Sequence, residues 1–367
     1  MSRMRSGLVN NGRAYRCGKC PPIPTKIISP NANDNKIVII RLMDVATFDG
    51  SQWKLNTNLV IPDGITFSIP VGAILIIQLG QQIINNGTIN IYGTLIGFAS
   101  IINNSVINNY SNTIQIETGG NLTNNKTINN YKNAVITNNG GILQNASTIN
   151  NFIGATINNK HQIMNNGIFN NQVDAIINNN SNGIFTNNKG TIVNEGIFNN
   201  NVESELINAR ASIINNVNKF VNNGIIINNY IFTSNTKSII ENMGTGIIEN
   251  NHKINIHNIL NNSGRIVNKK GGAINNLITG SVINNLDKGN IVNNSGGIII
   301  NKTGAIINNN IGATISNNTG ANINNYINSE INDNGNIINN DMRDIIIPSR
   351  NNLENITVKK KSKPIVK

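Results

Sequence analysis

The sequence predicts an all-β fold: a parallel β-solenoid with three short strands per coil, roughly thirteen coils and a capping N-terminal segment. Three observations point to it. A five-residue word recurs through most of the 367 residues, its copies return at a spacing of 20–24, and no proline falls between Val71 and Ile347. Composition agrees, with 84 Asn and 71 Ile against 13% charged and 4% aromatic residues. Ordinary domains draw far more evenly on the twenty types; a coil repeated many times solves one packing problem over and over. The 38% hydrophobic content, about half of it β-branched Ile, excludes a highly charged disordered chain.

The word is a small residue, a spacer, an apolar residue, a second spacer and Asn. It reads A-T-I-N-N at Ala155–Asn159, G-I-F-N-N at Gly167–Asn171, A-I-I-N-N at Ala305–Asn309 and A-N-I-N-N at Ala321–Asn325. On a strand, alternate residues share a face, so the small residue, the apolar residue and the second Asn point one way. The spacers point out.

The central apolar residues form three interleaved series: Ile128, Ile149, Phe169; Ile136, Ile157, Ile177; and Leu143, Met164, Phe185. Three series with one spacing mean three strands per coil. Later the spacing lengthens to 24, as in Ile283, Ile307, Ile331. At ~4.8 Å per coil the rod is roughly 60 Å long.

Each strand then pairs with its counterpart one coil above and below, which satisfies the backbone. The expected structural ladder includes Ile128, Ile149, Ile157, Phe169, Ile307 and Ile323 as stacked core. Asn130, Asn151, Asn159, Asn171, Asn309 and Asn325 are its stacked amides. Asn is expected at corners as well, because it tolerates left-handed backbone angles, and Gly140, Gly154 and Gly312 serve corners that need positive φ. A base-composition bias toward A and T would also enrich Asn and Ile, but it explains neither the retained period nor the missing prolines.

The flanks differ. Residues 1–26 hold six basic residues, no acid and a C-G-K-C at Cys17–Cys20; residues 27–60 are strand-rich and lack the word. Residues 61–347 form the expected solenoid, and 348–367 a second basic tail. Those two tails carry nearly all of the +12 net charge. An open solenoid end exposes apolar core and unpaired edges, hence the cap over 27–60. No apolar run reaches eighteen residues, so no membrane span is expected, and the first twenty residues show no secretory signal.

The A-T-I-N-N coils and the preceding N-L-V-I-P-D-G-I-T-F resemble right-handed parallel β-helix proteins of the pectin-lyase-like kind. That class includes polysaccharide-degrading enzymes, phage tailspikes and adhesins. The Asn/Ile-rich version is similar to repeat proteins encoded by AT-rich giant DNA viruses of amoebae, which implies a virion location. Fold resemblance leaves function open.

Candidate chemistry is sparse. β-Helix polysaccharide lyases and hydrolases need converging carboxylates, yet Glu117, Asp174, Glu195, Asp287 and Glu330 lie far apart in sequence. Glu203 and Glu205 come nearest to a pair, with Arg210 expected as a surface partner, and Glu241 and Glu249 are expected on different faces. Cys17 and Cys20 could form a disulfide, but two ligands do not make a zinc site, and the three histidines sit elsewhere. His252 and His257 read as surface residues. K-K-K-S-K-P at the C-terminus suits an acidic or nucleic-acid contact without base stacking. N-linked sequons such as Asn121-Leu122-Thr123 arise by chance in so Asn-rich a chain.

The expected function is therefore a non-enzymatic structural rod with no cofactor, joined to other structural proteins or to copies of itself. Outward Ile168, Ile176 and Ile184 are expected to stripe one face for lateral packing. An adhesin-like rod binding glycans through outward Asn and Thr rows is the alternative, and a lyase or hydrolase the third reading.

Overall fold

The computed structural model describes residues 38–339 apart from 320, 327, 328, 334 and 335. It is a parallel β-solenoid of about thirteen turns, whose strands are dealt in rotation onto three sheets of 14, 14 and 15 strands. Face 1 carries Thr127–Asn130, Thr148–Asn151 and Ile168–Asn171 in neighbouring coils. Face 2 carries Val135–Asn138, Thr156–Asn159 and Ile176–Asn179. Face 3 carries Ile142–Asn145, Gln162–Asn165 and Ile184–Asn187. The one described α-helix is a single turn, Leu42–Val45.

Four-residue strands follow from the word itself. In Thr156–Asn159 the second and fourth residues are buried and the first and third half-buried, the alternation of a pleated strand. Buried Ala155 sits at the corner just before it. The interior is three columns of Ile and Leu, one per face, joined in mid-rod by a ring column. Phe169, Phe185, Phe198, Phe220 and Phe232 succeed one another with centroids 4.7–5.5 Å apart.

Register follows the first two expected series, Ile128–Ile149–Phe169 and Ile136–Ile157–Ile177. The third is corrected. Ile163, not Met164, stacks between Leu143 and Phe185, while Met164 lies outward between Gln144 and Thr186. The cause is the buried Asn165, which aligns with Asn145 and Asn187 and sets the strand's phase; the intervening coils are 20 and 22 residues, not 21 and 21. The apolar stripe is corrected too. Ile168, Ile176 and Ile184 all point outward, but on faces 1, 2 and 3 respectively, because successive strands occupy successive faces.

Left-handed backbone is also distributed differently from expectation. Among the described residues eight non-glycine positions have positive φ, and only Asn133 and Asn182 among them are Asn. The abundant Asn instead closes the strands, where its amide is hydrogen-bonded inside. Gly140 and Gly154 do hold positive φ, as does Gly312. Gly167 is needed for a different reason: its φ is ordinary, but a Cβ there would collide with the carbonyl of Ser147 in the preceding coil.

At the N-terminal end Val38–Ile40 pairs in parallel with Ile65–Ile69, and Leu42 is fully buried beside it. Ala46–Phe48 and Trp53–Leu55 form an antiparallel hairpin, the exception among otherwise parallel described pairings. Its turn is tied by Asp49, whose carboxylate accepts from the backbone N–H groups of Ser51 and Gln52 and pairs with Lys54. These contacts, the Lys54 bond foremost, hold the Asp49 carboxyl well below the usual carboxylate range. Trp53 packs on Phe48 at 5.2 Å. The expected tails 1–26 and 348–367, with Cys17 and Cys20, lie outside the described residues.

Candidate functional site: amide ladders and outward faces

All twelve expected ladder residues are buried: Ile128, Asn130, Ile149, Asn151, Ile157, Asn159, Phe169, Asn171, Ile307, Asn309, Ile323 and Asn325. The amides connect. Asn130 Nδ2 donates to Asn151 Oδ1 at 2.8 Å, Asn151 to Asn171 at 2.8 Å, and Asn159 to Asn179 at 2.7 Å. Asn301 donates to Asn325 at 2.8 Å, and Asn309 donates to Asp333 at 2.8 Å. On face 3 the row runs unbroken from Asn85 to Asn317. On face 1 it stops at Asn216, where Ser234 bonds Ser238 instead, and resumes at Asn276.

Every inner row points the same way: Nδ2 of one coil donates to Oδ1 of the next. Corner carbonyls fix that sense. Asn130 Nδ2, for example, also donates to the carbonyls of Ala134 and Thr156. The amide nitrogen must therefore face the corner, and the oxygen is left to receive the preceding Asn. A buried amide without a partner costs about 1–3 kcal/mol, so the first oxygen of each row has no cheap solution. Asn85, Asn109, Asn138 and Asn276 each hold an unpartnered buried Oδ1. Each is preceded in register by an isoleucine: Ile61, Ile91, Ile116 and Ile256. The outer Asn rows run oppositely. Asn150 donates back to Asn129, Asn170 to Asn150 and Asn308 to Asn284. The sequence signalled the rows but not their direction, which the corner carbonyls decide.

Outside, a corner stack of aromatic rings, Tyr92, Tyr110, Tyr131 and Phe152, repeats at 4.8–4.9 Å with planes within 8°. Spacing alone could have revealed it, since the four residues share one place in successive coils. Burial in the stack raises the Tyr110 phenol above its ordinary value, and Tyr92 and Tyr131 add to the effect. His252 stacks on Tyr230 at 5.1 Å, and His257 lies 3.1 Å from the Ser234 carbonyl, so the two flank the strand Lys253–Ile256 without converging.

The acids do not converge either. Glu241 and Glu249 lie on faces 2 and 3, paired with Lys219 and Lys269. Glu203, in left-handed conformation at a corner, accepts from Ser181 at 2.7 Å, and Glu205 stands on the next strand. Arg210, expected as their partner, pairs with neither, because it sits past that strand at the following corner. Among the described residues no group of three His, Cys, Asp or Glu could hold a metal ion. The best-formed cavity is internal, narrow (≈ 20 Å³) and wholly apolar, lined from Leu260 to Ile337. No described helix is long and apolar enough to cross a membrane.

Neither a protein-family model nor a curated protein matches the chain. Among solved structures it is similar to a TibC-catalysed hyper-glycosylated TibA fragment, at 14% identity and a TM-score of 0.21. The match covers 79% of this chain and 98% of the other.

Proposed function

We propose that the protein is a stiff, non-catalytic rod that serves as a structural part of a larger assembly, with a virus particle as its setting. One observation carries this reading: three straight stacks of strands joined by corners of two to five residues raise no cleft wall along the described rod. Inside, the amide rows are engaged by neighbouring coils except at the first oxygen of each row, and the outward carboxylates of Glu241 and Glu249 are paired with lysines one coil away. Such a surface favours lateral contact over substrate capture. The test is quantitative mass spectrometry of purified particles and of cell fractions. A fixed ratio of this chain to an assembly's main component is expected; recovery wholly as a free chain, or turnover of polysaccharide by the purified protein, would overturn the proposal.

A second reading, a glycan-binding rod, draws on face 1. There Thr88, Val106, Thr127 and Thr148 stand beside Asn90, Asn108, Asn129 and Asn150 in two outward columns, polar except at Val106, next to the tyrosine stack. Hits on a glycan array that vanish on replacing Asn129 and Asn150 with Ala would favour it over the first.

A further inference from the structure

We propose that face 3 is a self-complementary interface, on which a second copy of this chain docks antiparallel about a point between Ile225 and Ile247. The proposal stands independently of the role assigned above.

The first outward column of this face reads Ile184, Glu205, Ile225, Ile247, Arg265 in successive coils. Ile184 and Ile225 are exposed, and Ile207 and Ile227 in the adjacent column widen the apolar patch. Two charges bracket it. Glu205 lies one coil before Ile225, and Arg265 one coil after Ile247. Neither has an ion pair or a side-chain hydrogen bond among the described residues, whereas Glu241 and Glu249 each meet a lysine.

The spacing is symmetric. A two-fold axis lying in the contact plane along the strands, midway between Ile225 and Ile247, reverses the rod direction and keeps each column facing itself. Ile225 then meets Ile247 of the second copy, and Glu205 meets Arg265 of the second copy, twice over. Glu249 arrives already paired with Lys269, so it brings no unbalanced charge. A parallel arrangement would set the first column against the second, placing Glu205 on Ile207 and Arg265 on Val267 of the other copy. Both charges would then be desolvated without partners, which is strongly unfavourable. Antiparallel overlap spans about ten coils; at ~4.8 Å per coil and a face ~13 Å wide it covers about 600 Å² per copy. That total, about 1,200 Å², is at the lower bound of stable interfaces.

The test is sedimentation velocity of the full chain across a concentration series. Wild type is expected to dimerise, and E205K and R265E each to weaken dimerisation at least tenfold, since each homodimer sets like charges together twice. An equimolar mixture of the two variants is expected to restore the dimer. In that pairing the positive charge introduced by E205K faces the negative charge introduced by R265E, and the unaltered Arg265 of the first variant faces the unaltered Glu205 of the second. A misfolded variant could not be rescued by mixing. A monomeric wild type, single variants that dimerise like wild type, or a mixture that stays monomeric would each overturn the proposal.

Discussion

The packed middle of the rod and its later coils are built from the same word but differ in their corners. Between Asn124 and Asn228 successive face 3 strands are 20–22 residues apart; from Asn268 to Asn317 the step is 25 and then 24. The coil from Ile298 to Ala321 has four-residue corners at all three vertices, with the small residues Ala305, Ala313 and Ala321 turned in. The coil from Thr127 to Ser147 has corners of four, three and two. Longer corners widen the triangle, but the side chains at its centre do not grow. Phe169 through Phe232 fill the middle, while Ile283, Ile299, Ile307 and Ile315 border the apolar void. Corner length sets the cross-section of the rod; the core residues either match it or leave space.

The contrast can be broken most forcefully at the ring column. Phe220→Ala should cost about 3–5 kcal/mol, against about 2 kcal/mol for Ile307→Ala beside the void. Hydrogen exchange of the flanking strands would read both, and equal losses would remove the distinction. Amide removal comes next. Asn159→Ala strands the Asn138 donor below and the Asn179 acceptor above, a loss of about 1–3 kcal/mol, while outward Asn158→Ala should change stability by under about 0.5 kcal/mol. Denaturant midpoints would show it.

A sign change sharpens the comparison further. Ile157→Phe overpacks a filled section and should destabilise by about 1–3 kcal/mol. Ile307→Phe fills a cavity of ≈ 20 Å³ and should gain about 0.5 kcal/mol at ~24 cal/mol per Å³. The smallest effect lies in the hairpin ahead of the first coils. Because Asp49 titrates lower in the fold than when unfolded, its contribution is present above the ordinary carboxylate pKa of about 3.9 and disappears as pH falls from there through the folded value. Trp53 fluorescence, next to that turn, should report a local change below about pH 4 that Asp49→Asn abolishes.

Much of this architecture was legible because two periods are superimposed in the letters. Alternation by two puts Ile157 and Asn159 inward together, and the 20–24 return stacks them; the backbone has little freedom once both hold. What escaped reading depended on local phase and on partners. A spacing that averages 21 cannot tell Ile163 from Met164 when one coil drops a residue and the next restores it; the buried Asn165 was the better marker. Ile168, Ile176 and Ile184 looked like a stripe because eight-residue spacing is regular, yet eight residues is one strand and one corner, hence one face onward. The direction of the amide rows was invisible, since Asn reads the same either way round. The lengthening to 24 was visible, but not the void it opens.

That direction makes the two ends of the rod chemically unlike. Severed between two coils, its inner rows would offer amide hydrogens on one fresh surface and bare carbonyl oxygens on the other, and its outer rows the reverse. Only a head and a tail could rejoin without leaving donors facing donors. A sequence with no obvious orientation in its letters thus folds into a vector.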